Sequence, residues 1–180
     1  MRYIGFIRNV MIGREGLHRV WLLDKVAELG GGRPVSFITT GNIAFDVQPD
    51  GLDDFVEALE GHVAALIGRH EPVFVRTIEH LHSLVATDPF ADTPFGEDAI
   101  EQVISFAETP IPEPAVMPVV SRRGDACVFR IDGCEAFGVS RMVGSRTSGS
   151  GGLVEQLTGQ RVTTRSVGTV RRIAAKEPLA

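Results

Sequence analysis

Two cysteines, one tryptophan and one tyrosine in 180 residues leave little material for a disulfide framework or for a surface that stacks on bases. Cys127 and Cys134 are expected to stay reduced and unbridged, because a two-residue turn at Asp132-Gly133 would set Cys127 opposite Gly138. No apolar run approaches the roughly 20 residues that span a bilayer. Arg2 and Arg8 bracket the first apolar segment, which speaks against a secretion signal and leads to the expectation of a cytoplasmic protein with no membrane partner. The histidines, His18, His62, His70, His80 and His82, include no pair four apart on a helix. There is no Gly-x-Ser-x-Gly elbow, and neither cysteine has a histidine close in sequence. The chain therefore nominates no metal site, no cofactor and no catalytic residue.

Hydrophobic residues make up 43% of the chain and charged residues 23%, the balance of a globular protein long enough to bury a core. The net charge of −5 is unevenly placed. From Ser140 onward seven basic residues stand against two acidic ones, so an acidic body carries a basic C-terminal segment. Such asymmetry can steer an anionic ligand, or be satisfied by attraction within the molecule.

Tyr3, Ile4, Phe6 and Ile7 predict a central strand over 1–9. Leu22, Val26 and Leu29 fall at helical spacing before Gly30-Gly31-Gly32. Runs at 34–38 and 43–47 flank Thr40-Gly41-Asn42, which predicts a hairpin. Asp50 is placed to cap a second helix whose apolar stripe includes Val56, Leu59, Val63 and Leu66, and a short strand follows over 72–76. That order, strand-helix-strand-strand-helix-strand, is the split βαβ or ferredoxin-like unit. Beyond it a short helix is expected over 77–85, strands at 102–107, 116–120 and 126–131, a fourth at 135–139, a Gly/Ser loop over 144–152, a short helix at 153–157, and a last helix capped by Ser166. The expected class is α+β with mainly antiparallel sheets, divided into residues 1–76 and 77–180.

Several segments resemble the bacterial family of domains of unknown function numbered 1697. Phe37-Ile38-Thr39-Thr40-Gly41-Asn42-Ile43-Ala44-Phe45 is similar to the family hairpin Tyr-Ile-Gln-Ser-Gly-Asn-Val-Val-Phe. Arg8 and Gly13 match the loop after the family's first strand, and Asp88-Pro89-Phe90 resembles its Asn-Pro-Phe. Phe137-Gly138-Val139-Ser140-Arg141-Met142 is similar to Tyr-Gly-Arg-Ser-Lys-Leu, and the run from Val162 to Val170 to Ala-Thr-Thr-Arg-Asn-Trp-Asn-Thr-Val. The resemblance implies two ferredoxin-like subdomains and brings no activity. Met11 stands where the family has Asn, Val167 where it has Trp, and 143–150 looks like an insertion.

The candidate ligand-binding residues are Arg8, Asn42, Ser140, Arg141, Thr163, Thr164 and Arg165. Arginine offers planar, bidentate contact to phosphate or carboxylate, and hydroxyl and amide groups add neutral bonds. The same arginines can equally pair with the chain's own carboxylates, and Thr39 to Asn42 can be turn chemistry alone. Gly144–Gly152 precedes a helix and reads either as a phosphate cradle or as a flexible surface insertion. Three readings follow. One is a binding module for a phosphorylated small molecule or nucleotide, RNA being disfavoured by the scarcity of aromatics. Another is a small transferase or hydrolase using Arg8 or Arg165 as electrostatic stabiliser. The last is a structural homodimer joined through sheet edges.

Overall fold

The computed structural model describes residues 1–179 and is an α+β protein. Among the described residues it holds two antiparallel sheets and five α-helices. The chain divides into two compact units, Met1–Leu81 with Leu179, and His82–Pro178.

In the first unit β1 (Arg2–Ile7) is central because nearly every side chain is apolar and both faces are covered. It pairs antiparallel with β3 (Asn42–Asp46) on one side and β4 (Val73–Thr77) on the other. β2 (Gly32–Phe37) completes the order β2-β3-β1-β4. The crossovers are helical, α1 (Arg19–Glu28) and α2 (Leu52–Ile67). Leu22 and Val26 of α1 join Phe55, Leu59 and Val63 of α2 in one core with Tyr3, Ile7 and Phe45. Val56 and Leu66 of the expected stripe pack at its margin, half-buried. Asp50 is not the cap of α2. It sits in a 3-10 turn at Pro49–Gly51, and α2 begins from Gly51 with no side-chain cap. The helix stops at Gly68, whose φ of +74° suits a residue without a Cβ.

Thr77 starts α3 (Ile78–Ala86), its hydroxyl accepting from the His80 amide at 3.1 Å. The second sheet has the order β6-β7-β8-β5-β9, formed by β5 (Ala99–Ala107), β6 (Val119–Val120), β7 (Ala126–Asp132), β8 (Glu135–Arg141) and β9 (Val162–Ser166). β6 is much shorter than the run expected over 116–120. The β7–β8 turn is Gly133-Cys134, one residue later than expected, and a bulge between Val128 and Arg130 shifts the ladder again, so Cys127 opposes Val139 rather than Gly138. Both cysteines are free. α4 (Gly151–Thr158) and α5 (Val167–Lys176) complete the unit. Ser166 caps α5, accepting from the Thr169 amide at 3.2 Å. No helix among the described residues is long and apolar enough to cross a membrane.

Candidate functional site

Arg8 and Asn42 belong to the first unit, and Ser140, Arg141, Thr163, Thr164 and Arg165 to the second. Arg8 follows β1 directly, and its guanidinium lies 3.4 Å from the buried carboxylate of Glu71. Arg69 binds the other Glu71 oxygen at 3.1 Å, both oxygens of Glu15, and the Asn9 carbonyl at 2.9 Å. Hydrogen bonding from Arg69 holds the Glu15 carboxyl below its ordinary range. This network closes the 9–16 loop onto the end of the sheet. Asn42 is fully buried and donates to the Phe37 carbonyl at 3.1 Å and to Thr40 Oγ1 at 3.0 Å. Gly41 has φ +67°, and a Cβ there would strike Val10 and Ile7. The hairpin motif thus works as turn chemistry and as the seat for the loop after β1.

In the second unit the predicted residues divide between the two faces of the sheet. Thr163 and Arg165 oppose Phe106 and Ile104 of β5, whereas Thr164 opposes Ser105 and Ser140 opposes Glu101. Alternation along β5 sends Ile104 and Phe106 one way, Glu101 and Ser105 the other. Arg165 is buried, donating to Thr163 Oγ1 at 2.8 Å and the Thr164 carbonyl at 2.9 Å, and burial pushes its guanidinium down to about 10. Thr164 shares a hydrogen bond of 2.9 Å with Ser105, and Ser140 donates to Glu101 at 3.3 Å.

Arg141 is different. It ends β8, its Nε donates to the Gly124 carbonyl at 2.9 Å, and its guanidinium carbon lies 4.3 Å from the centre of the Phe95 ring. Phe95 has φ +76°, a strained value for an aromatic residue, and its ring takes the cation–π contact. Among the described residues, the Arg141 Nη atoms have no hydrogen-bond acceptor.

Beside Gly124 lies a groove of about 380 Å³ lined by Ser121, Arg122, Arg123, Asp125 and Ser148. It forms where the β6–β7 turn meets the Gly/Ser loop. Asp125 organises it: the Ser121 hydroxyl donates at 2.7 Å, Ser148 at 2.9 Å and Arg123 at 3.1 Å. The Ser121 hydroxyl, followed by Ser148, the Asp125 amide and Arg123, holds this carboxyl below its ordinary range. Arg122 is exposed and has no hydrogen-bond or ion-pair partner among the described residues. The Gly/Ser loop is accordingly docked rather than a loose insertion. Ser148 ties it to Asp125, Ser150 is buried against Gly138, and a Cβ on Gly151 would meet Thr164 Oγ1 at 2.5 Å.

The sequence pattern singles out none of Ser121, Arg122, Arg123 and Asp125, and takes in Ser148 only as part of the Gly/Ser loop. The available signal was two adjacent arginines in a Ser-Arg-Arg-Gly-Asp turn, which reads first as a hairpin connection. Among the described residues no group of three or more His, Cys, Asp or Glu is placed to hold a metal ion.

The family model for DUF1697, described as a protein of unknown function, matches residues 1–137. The similar segments at 137–142 and 162–170 lie largely beyond that span. No curated protein matches the chain. Among solved structures, the conserved bacterial protein SP0830 from Streptococcus pneumoniae is similar in fold, with a TM-score of 0.62, 15% identity and 97% of each chain covered.

Proposed function

This chain belongs to the DUF1697 family of proteins of unknown function, and from that premise we propose that it is a binding module for a phosphorylated small molecule or nucleotide, held in the basic groove of its second unit. The observation that carries the reading is Arg141. Its guanidinium is oriented by Phe95 and by the carbonyl of Gly124, the residue between the groove residues Arg123 and Asp125, before any ligand arrives, with Nη donors unspent. Donors ordered in advance cost less on binding, which is what an anion site needs. Asp125 is the groove's own carboxylate, and its partners lock it in place, so it serves as a scaffold and not as a general base.

Both units are read as ferredoxin-like, since the orders β4-β1-β3-β2 and β9-β5-β8-β7 are the split βαβ sequence of strands. Two free cysteines agree with a reducing, cytoplasmic setting. The test is calorimetric titration of the full chain with pyrophosphate, adenosine monophosphate and a sugar phosphate. At least one should bind, and Arg141→Met should weaken it about tenfold or more. An affinity unchanged by Arg141→Met, or no binding at all, ends the reading.

A further inference from the structure

The groove has one fixed wall and one movable wall. The fixed wall is the turn 121–125. The Gly124 amide donates to the Ser121 carbonyl and the Ser121 amide to the Ala126 carbonyl, both at 2.8 Å, and the Ser121 hydroxyl accepts from the Asp125 and Ala126 amides at 3.1 Å each. The Arg141 amide adds a bond of 2.8 Å to the Asp125 carbonyl. The other wall is Ser148, on a loop with no such support. Residues 144–147 and 149 are exposed, and a Cβ on Gly144 or Gly149 would meet nothing within 4 Å. Both ends of this loop are pinned. Val143 and Arg146 exchange backbone bonds of 2.9 and 3.3 Å, and Ser150 is 2% exposed, its hydroxyl filling the space where Gly138 lacks a Cβ. Among the described residues, one hydrogen bond joins 147–149 to the body of the unit, from Ser148 to Asp125 at 2.9 Å.

A segment pinned at both ends and docked by a single bond opens by local fluctuation without unfolding its neighbours. Resting on the function proposed above, we infer that residues 144–149 form a strap that gates the groove, with the hydrogen bond from Ser148 to Asp125 as its latch. The anion enters and leaves while the latch is open, and the bond re-forms over it. Asp125 suits a latch because its carboxylate keeps Ser121 and Arg123 when Ser148 leaves. Ser148 is thus a positioning residue and makes no bond to the anion.

Nuclear magnetic resonance on the isotope-labelled full chain tests this in two ways. In the unliganded chain Ser148→Ala should lower the backbone order parameters of Thr147 and Gly149 to below about 0.6, the flexible range. Line-shape analysis of titrations with pyrophosphate and with adenosine monophosphate should show association and dissociation each about tenfold faster in Ser148→Ala, the effect of losing one hydrogen bond to a carboxylate, with the dissociation constant unchanged within about threefold. Ser148→Thr, which keeps the hydroxyl, should show the native rates. Faster dissociation alone, with weaker binding, would make Ser148 a ligand contact and overturn the latch. Order parameters or rates in Ser148→Ala equal to those of the native chain would refute the gate while the anion site stands. If neither anion binds the native chain, the anion site falls and the gate with it.

Discussion

In the first unit β4 runs straight into α3, and in the second β9 runs straight into α5; the two segments correspond residue by residue. Arg76 opposes Ile4 as Arg165 opposes Ile104, and each donates Nη1 to the preceding carbonyl, at 2.8 and 2.9 Å. Thr77 and Ser166 cap the helices through the amide three residues on. Ile78, Leu81 and Leu84 stand where Val167, Val170 and Ile173 stand. A buried polar residue opposes the same phenylalanine in both sheets, Asn42 against Phe6 and Glu135 against Phe106. The units differ in the first crossover, which is α1 in one and the stretch 108–118 with Pro110, Pro112 and Pro114 in the other. Both units pair arginines internally, Arg8, Arg33 and Arg69 in the first and Arg123, Arg130 and Arg171 in the second, while the second also sets the Arg141 guanidinium on the Phe95 ring. What recurs is what the sheet and its helices require to pack. What differs includes the surface to which we assign binding.

The largest effects should fall equally on both units. Phe45→Ala and Phe137→Ala each empty a fully buried site and should cost about 3–5 kcal/mol in urea unfolding followed by circular dichroism. Trp21 fluorescence gives a second probe for the first unit. A cost below about 1 kcal/mol for either variant would break the correspondence between the cores.

Arginine substitutions should separate the units. Arg8→Met leaves the buried Glu71 carboxylate with one fewer partner and should cost about 1–3 kcal/mol, with anion affinity unchanged. Arg141→Met should cost no more than about 1 kcal/mol, the worth of an exposed cation–π contact, while it weakens the anion. The reverse pattern would place the binding surface in the first unit.

Smaller and equal losses are expected at the matched caps. Thr77→Ala and Ser166→Ala should each cost about 1 kcal/mol. Asp50→Ala should change stability by less than about 0.5 kcal/mol, because Asp50 makes no cap and keeps only its favourable place near a helix N-terminus. Thermal melts of the three variants rank them.

The shallowest effect concerns acid. Asp46, held down chiefly by its hydrogen bond from Arg33, and Asp125, held down chiefly by Ser121, both have folded values below the ordinary 3.8. Their stabilisation is present above that value and is lost as pH falls through the lowered one. Asp46→Asn and Asp125→Asn should therefore each flatten the fall in stability below about pH 4. A variant that leaves the acid limb unchanged would show its carboxylate to be unlinked to folding.

Local order was legible in the residues themselves. The stripe of α2, the hairpin turn that closes at Gly41 and the Ser166 cap each depend on neighbours a few positions apart, so periodicity and side-chain chemistry determine them. The family resemblance, strongest in the 37–45 hairpin, likewise implies the α+β class. Asp50 misled because a 3-10 turn comes between it and α2, a choice that helix-cap chemistry alone does not make.

What the sequence by itself determined is where most of the strands and helices lie, that the cysteines are separate, and that basic residues concentrate toward the C-terminus. Tertiary structure decided which charges meet. Glu71 draws Arg8 across 63 positions, and Ser148 reaches Asp125 across 23. A bulge moves the β7–β8 register by one residue, and alternation separates Thr163 and Arg165 from Thr164. Side-chain direction in a sheet reverses at each residue, so register and long-range closure decide whether a polar group faces a neighbour, the core or a ligand.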